Sequence, residues 1–338
     1  MKVLLYFENE KMLKKSGIGR AVEHQKKALE LNEIEYTLNK KDTFDVAHIN
    51  TYFSKSSNLI KKLKKKGIPV IVHGHSTKED YQNSFWFWKI TKGYIYHSLK
   101  KTYSLPNRII TPTPYSKGLI ENYDFVHCPV VAISNGIDFT KYHDVSISKE
   151  EEKNLRERFG LRPTDRIVLG IGWFFERKGT HDFIEIAKSF DDTTKFIWFG
   201  ANNKALMTKK ILQAIKNKPD NVILPGYVSQ DTIIKMLHIA DCFVFPSYEE
   251  TEGIVLLEAL ACQTPTILRD IPAFSYLTHM KNCLKAVNNT EFVAAIQKAF
   301  DEDMTEILQN GVELVKKRDL KIIGSQLKEQ YEIVLNDK

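Results

Sequence analysis

Short apolar runs alternate with amphipathic, helix-like segments along the whole chain. In the first half the runs fall at residues 3–7, 46–49, 70–72, 108–110 and 130–133. A second series follows at 167–171, 195–199, 222–224, 242–245 and 266–268, each bounded by Gly, Pro or Asp. Continuous apolar runs of this length, separated by helical periodicity, predict parallel strands covered on both faces. Between the series, residues 141–165 are charged and hold the helix-like SKEEEKNLRERFG followed by Arg162-Pro163, a composition shift that places a boundary near residue 150. The pattern predicts an α/β protein of two Rossmann-like, doubly wound domains, residues 1–150 and 151–310, with a helical tail over 311–338. Such sheets bind ligands at the carboxyl ends of their strands, so the predicted site is a cleft faced by both sets of loops.

Composition narrows the class. The chain has 338 residues, 43% of them apolar, enough for an ordinary core. Cys128, Cys242, Cys262 and Cys283 form no C-x-x-C pair, which speaks against a disulfide scaffold or a zinc ribbon. The N-terminus has no signal-peptide pattern and no apolar run approaches the roughly 20 residues of a membrane span, so a cytoplasmic protein is expected. The net charge of +7 is uneven. Residues 1–138 carry 22 Lys/Arg against 13 Asp/Glu, and the remainder 27 against 29. A basic first domain calls for a local cause.

Candidate chemistry concentrates in FPSYEETEGIVLLEALA, residues 245–261, where an apolar strand runs through an acidic loop into an apolar helix. Gly253 lets backbone amides approach a ligand, and the helix starting there offers free N–H groups to phosphates. Glu258, a turn and a half further on, is within reach of a ribose. The alternative is a solvated acidic loop and an exposed helical charge, against which stands the cost of a lone carboxylate in an apolar helix. In IGWFFERKGT, residues 171–180, Arg177 and Lys178 precede a second helix, where two cations can hold a diphosphate. A basic turn without chemistry is the simpler alternative. Ser16-Gly17-Ile18-Gly19-Arg20 opens a helix in a first β-to-α connection, and His73-Gly74-His75 ends the third apolar run without a third ligand for a metal. Asp301-Glu302-Asp303 sits in a polar segment unsuited to a metal-diphosphate site.

The spacing P-S-x-x-E-x-x-G-x-x-x-x-E-A-x-A resembles the E-x7-E signature of retaining GT-B glycosyltransferases of family 4. The resemblance implies a GT-B fold and a nucleotide-sugar donor. It sets Glu250 at the donor sugar, Glu258 at the ribose hydroxyls, Lys178 at the diphosphate, Gly17 and Gly19 facing it across the cleft, and His75 near the reacting sugar. Glu250, Lys178 and His75 are then the candidate catalytic residues. Arg177 and Gly253 join the donor-binding set, and no cofactor or metal is implied. Thr251 and Glu252 stand where many members have Gly and Phe, and Trp173 where many have Arg. The EETEG form is similar to bacterial enzymes that build glycosyl-diacylglycerols.

That likeness gives the basic half a purpose. Residues 81–120 hold no Asp or Glu, six Lys/Arg and nine aromatics. Trp86, Trp88, Lys89 and Lys92, together with Lys61, Lys62, Lys64 and Lys65, suit a helix lying on an anionic bilayer; the other reading is a core helix beside a solvated Lys run. The sequence expectation is a retaining hexosyltransferase, peripheral on the inner face of the cell membrane. It would move glucose or galactose from a UDP-sugar to a lipid acceptor in glycosyl-diacylglycerol synthesis, including a lipoteichoic-acid anchor. The alternatives are a soluble family member acting on a polysaccharide or small acceptor and, from another class, a nucleic-acid binder, for which no RRM, KH or helix-turn-helix pattern is present.

Overall fold

A computed structural model of the chain describes every residue except Lys15, Ala201, Asn202 and Lys338. The first sheet comprises β1 (Lys2–Tyr6), β2 (Glu35–Thr37), β3 (Val46–Ile49), β4 (Val70–His73), β5 (Arg108–Thr111) and β6 (Val130–Ala132). The second comprises β7 (Arg166–Ile171), β8 (Thr194–Phe199), β9 (Val222–Gly226), β10 (Cys242–Phe245), β11 (Thr266–Arg269) and β12 (Leu284–Ala286). Their orders are β2-β1-β3-β4-β5-β6 and β12-β11-β10-β7-β8-β9, with every pairing parallel. All ten strands expected from the apolar runs are present. The two that the pattern missed, β2 and β12, are three-residue edge strands, EYT and LKA, too short and polar to form a run.

The central strands β3, β4, β10 and β11 are buried at every position, as parallel strands covered by helices on both faces require. In the second sheet the strand order reverses between β7 and β10, so the loops leaving these two strands open onto the switch-point crevice. Those loops are 172–179 and 246–253.

The chain crosses between the sheets through residues 133–148, which lead into helix Lys149–Arg158. Ser148 and Glu151 close a reciprocal capping box there: Ser148 Oγ accepts from the Glu151 N–H, and Glu151 from the Ser148 N–H. The expected tail at 311–338 divides instead between the two bodies. Helix Thr305–Lys316 packs beside helix Ile254–Ala261, its Gly311 close to Leu260. The chain then recrosses next to Ile137, whose N–H donates to the Arg318 carbonyl and whose carbonyl accepts from the Leu320 N–H. Helix Leu320–Asn336 lies against helix Gly17–Leu31 of the first body, with Gly324 against Ala28 and Asn32. Periodicity announces the helix but carries no record of which body it joins.

Candidate active site

The crevice between the two sheets is a cavity of about 480 Å³, lined by Gly17, Arg20, His75, Arg177, Lys178, Glu250, Gly253 and Glu258. Of the residues assigned to donor and catalysis, only Gly19 lies off this surface. A Cβ on Gly19 would come within 2.4 Å of the Lys14 carbonyl, so its part is to let helix Gly17–Leu31 start tight against the preceding turn. Gly17 has open space on its Cβ side and faces the cavity.

The acidic loop is buried, which excludes the solvated-loop alternative. Glu250, Glu252 and Glu258 are 5%, 1% and 1% exposed. Gly253 takes a left-handed φ of +81° at the start of helix Ile254–Ala261, and a Cβ there would meet the Phe245 ring at 2.9 Å, so glycine alone lets the loop turn this sharply over β10. Each acid then has its own partners. Glu250 pairs with the Lys178 ammonium, and Arg177 Nη1 stands 3.8 Å from the same oxygen. Burial pushes the Glu250 carboxyl up, but Lys178 and Arg177 outweigh burial and hold it below the usual range. Burial likewise lowers the Lys178 ammonium, with Glu250 opposing. Arg177 also donates from Nε to Ser84 Oγ at 2.9 Å and from Nη1 to the Glu249 carbonyl at 3.0 Å, so it ties the first domain to the loop.

Glu258 pairs with Arg20 and accepts a hydrogen bond of 2.8 Å from the Tyr142 hydroxyl, all on one oxygen, Oε1. Three segments meet there: helix Gly17–Leu31, the crossover helix Phe139–His143 and helix Ile254–Ala261. Sequence reading found Glu258 and missed Arg20 and Tyr142, because nothing in their spacing ties them to a residue more than 100 positions away. Glu252, where the family resemblance expects Phe, accepts from Ser134 Oγ, from the Asn135 N–H at 2.9 Å and from Asn135 Nδ2 at 2.8 Å. It thus pins the acidic loop to the start of the crossover, and gives the SNGID turn a contact beyond chain reversal. Thr251 makes a similar link, its carbonyl accepting from Thr113 Oγ1 at 2.8 Å.

His75 is 7% exposed at the cavity wall, its Nε2 bonded to Asn50 Oδ1 at 2.9 Å. Its ring stacks on His73 at 4.0 Å, and His73 on His48 at 5.3 Å. Burial, with His48 as the second cause, pushes His75 down to about 3, so the ring is neutral near pH 7. Trp173 lines the cavity and packs on Phe175 at 5.4 Å, leaving Arg177 and Lys178 as the cations of this loop. Among the described residues, no group of three or more His, Cys, Asp or Glu is arranged to hold a metal ion.

The basic surface divides by face. Helix Trp88–Tyr103 buries Ile95, Leu99 and Tyr103 and exposes Lys89, Lys92, Ile90 (79%) and Tyr94 (62%). The core-helix and surface-helix readings therefore each describe one side of it. Lys61, Lys62, Lys64 and Lys65 are exposed on the neighbouring helix Ser54–Lys65. A shallow cavity of about 390 Å³ between the two helices is rimmed by Lys61, His97, Lys100 and Lys101. Trp86 is 58% exposed and also donates from Nε1 to the Ala205 carbonyl of the second domain at 2.9 Å, and Trp88 is half-buried at the helix start. No helix of the described residues is long and apolar enough to cross a membrane.

Comparison with known proteins agrees with this geometry. Residues 151–318 match the family model "Glycosyl transferases group 1" and residues 29–141 match "Glycosyltransferase Family 4". Over 339 aligned residues, covering the whole of both chains, the protein is 50% identical to the processive diacylglycerol alpha-glucosyltransferase of Acholeplasma laidlawii. The chain is a family 4 glycosyltransferase. It is also 34% identical, over 44% of its length and 40% of the relative's, to the alpha-galactosylglucosyldiacylglycerol synthase of Streptococcus pneumoniae. In fold it matches Anabaena HepE, solved in complex with UDP and glucose, with a TM-score of 0.78 at 16% identity, covering 98% of this chain and 99% of the other. The sucrose-phosphate synthase of Thermosynechococcus elongatus matches with a TM-score of 0.72 at 18% identity, over 87% and 75% of the two chains. The two facing sheets are thus the GT-B arrangement that the glutamate spacing implied.

Proposed function

We propose that this glycosyltransferase moves a hexosyl group, glucose or galactose, from a UDP-sugar to a lipid acceptor at an anionic membrane surface, with retention at the anomeric carbon. The observation that carries the reading is the full-length, 50% likeness to a diacylglycerol glucosyltransferase, joined to a cleft whose paired acids match its donor chemistry. The ribose hydroxyls bond Glu258, and the base lies toward Val228, Gln230 and Ile233 at the same end of the cavity. The diphosphate lies between Lys178, the start of helix Ile254–Ala261 and the Gly17 backbone. Lys178 is held close to Glu250 before the donor arrives, so it needs little reorganisation as charge grows on the departing diphosphate. Glu250 then orients the sugar, neutral His75 flanks it as a hydrogen-bonding group, and a donor phosphate oxygen takes the acceptor's proton. The exposed Lys and aromatic residues of helices Ser54–Lys65 and Trp88–Tyr103 hold the first domain on the bilayer.

The test is transfer from UDP-glucose and UDP-galactose to diacylglycerol and glucosyl-diacylglycerol in phosphatidylglycerol vesicles. Products are identified by mass spectrometry, and the new linkage by the anomeric coupling in NMR. An α-linked glycolipid is expected. Transfer only to soluble acceptors, or a β-linked product, overturns the reading.

A further inference from the structure

Away from the ribose-binding end, the interdomain cavity is walled by aromatic rings around one carboxylate that the donor chemistry does not use. Phe85 of the first domain meets Phe175 of the second edge-on at 4.9 Å, and Trp173 packs on Phe175 at 5.4 Å. The Arg177–Ser84 hydrogen bond of 2.9 Å fastens the two sides of this wall together. Asp80 is half-buried beside it and lines the cavity. Its backbone N–H donates to Thr77 Oγ1 at 3.2 Å, and among the described residues no side chain donates to its carboxylate. It lines the same cavity as Arg177, Lys178 and Glu250, the residues that the proposed function sets at the diphosphate and the donor sugar.

A carboxylate with free acceptor sites, set among aromatic faces in a partly dry cavity, suits a hydroxylated ring or glycerol head. The O–H groups make strong charge-assisted bonds to the acid while C–H faces pack on the aromatics. We infer that Asp80 and the Phe85–Phe175–Trp173 wall form the acceptor subsite, with Asp80 anchoring hydroxyl groups of the acceptor's polar head. Continuity of the chain supports the direction of approach. Residues 81–88 run from Asp80 directly into helix Trp88–Tyr103, whose outer face exposes Ile90 and Tyr94, so a lipid held along that helix brings its head to the carboxylate. The inference rests on the proposed transfer to lipid and names the residue that receives the acceptor.

The experiment titrates glucosyl-diacylglycerol in phosphatidylglycerol vesicles at saturating UDP-glucose, comparing wild type with Asp80→Asn and Trp173→Ala, and measures UDP affinity of each by calorimetry. Asp80→Asn is expected to raise the acceptor KM at least tenfold and Trp173→Ala three- to tenfold, with UDP affinity within twofold of wild type. The rise for Asp80→Asn should be smaller with diacylglycerol, which offers a single hydroxyl. An unchanged acceptor KM in both variants overturns the subsite, as does an acceptor KM that rises only in step with lost UDP affinity. A wild type that transfers to no lipid overturns the proposed function itself, whereas transfer by wild type with both variants indistinguishable from it overturns the subsite alone.

Discussion

The cleft and the outer face of the first domain both carry lysines beside aromatic rings, and they differ in what surrounds them. In the cleft, the Lys178 side chain is 17% exposed and paired with Glu250, while Arg20 reaches across from the other domain to the buried Glu258. On the outer face Lys61, Lys62 and Lys65 project into solvent with no carboxylate on their helix. The same ammonium group is thus a fixed, poorly screened charge in one place and a mobile, salt-screened one in the other. Fixed charges suit a transition state whose position is set to a fraction of an ångström. Mobile ones suit a surface whose lipids have no fixed positions.

The comparison breaks most visibly at Lys178. Lys178→Ala is expected to cut turnover about 10²–10³-fold, the range for losing one preorganised electrostatic group, and a rise in donor KM alone would make Lys178 a ground-state anchor instead. On the outer face no single lysine matters that much. Replacing Lys62, Lys64 and Lys65 together by Gln should remove about 1 kcal/mol per charge of vesicle binding at low salt and almost nothing at high salt. Replacing Ile90 and Tyr94 by Ala should weaken vesicle sedimentation at every salt concentration, because apolar insertion is not screened. If the Gln variant binds anionic vesicles with the wild-type salt dependence, these lysines are not the docking charges.

A smaller effect sharpens the cleft side. Burial, opposed by the Tyr115 hydroxyl and reinforced by the charges of Asp80 and Glu250, pushes Glu249 up to about 7. The folded protein therefore keeps a proton on Glu249 at pH values where the unfolded chain has released it. Stability should fall as pH rises from about 4.5 toward 7 on this account, and Glu249→Gln should lose that part of the slope. Thermal melts across this window check it, and parallel curves for the two proteins would contradict the assignment.

Most of the fold was legible because buried parallel strands leave continuous apolar runs. The two short edge strands left none, and the last helix, which joins the opposite body, obeys a crossing that no local pattern records. The cavity-lining residues were legible where they sit close in sequence: Glu250, Gly253 and Glu258 on one strand–loop–helix, and Arg177 and Lys178 on another. Arg20, Tyr142 and the His48–His73 stack behind His75 were not, since each is brought in by tertiary contact from a distant segment. Asp80 stood as one acid before an acid-free stretch, and its place on the cavity wall is brought about only by the fold. Trp86 carries a contact that composition could not announce: 58% exposed, it also donates from Nε1 to the Ala205 carbonyl of the second domain.

The central claim is that Glu258, which pairs with Arg20 and accepts from Tyr142, is the ribose-binding group of a nucleotide-sugar site. Calorimetric titration of UDP into wild type and Glu258→Ala tests it most directly. The account predicts a loss of about 1.5–3 kcal/mol in binding free energy, the range for hydrogen bonds to a charged group, in a variant that keeps its fold. A folded Glu258→Ala protein that binds UDP as tightly as wild type would contradict it.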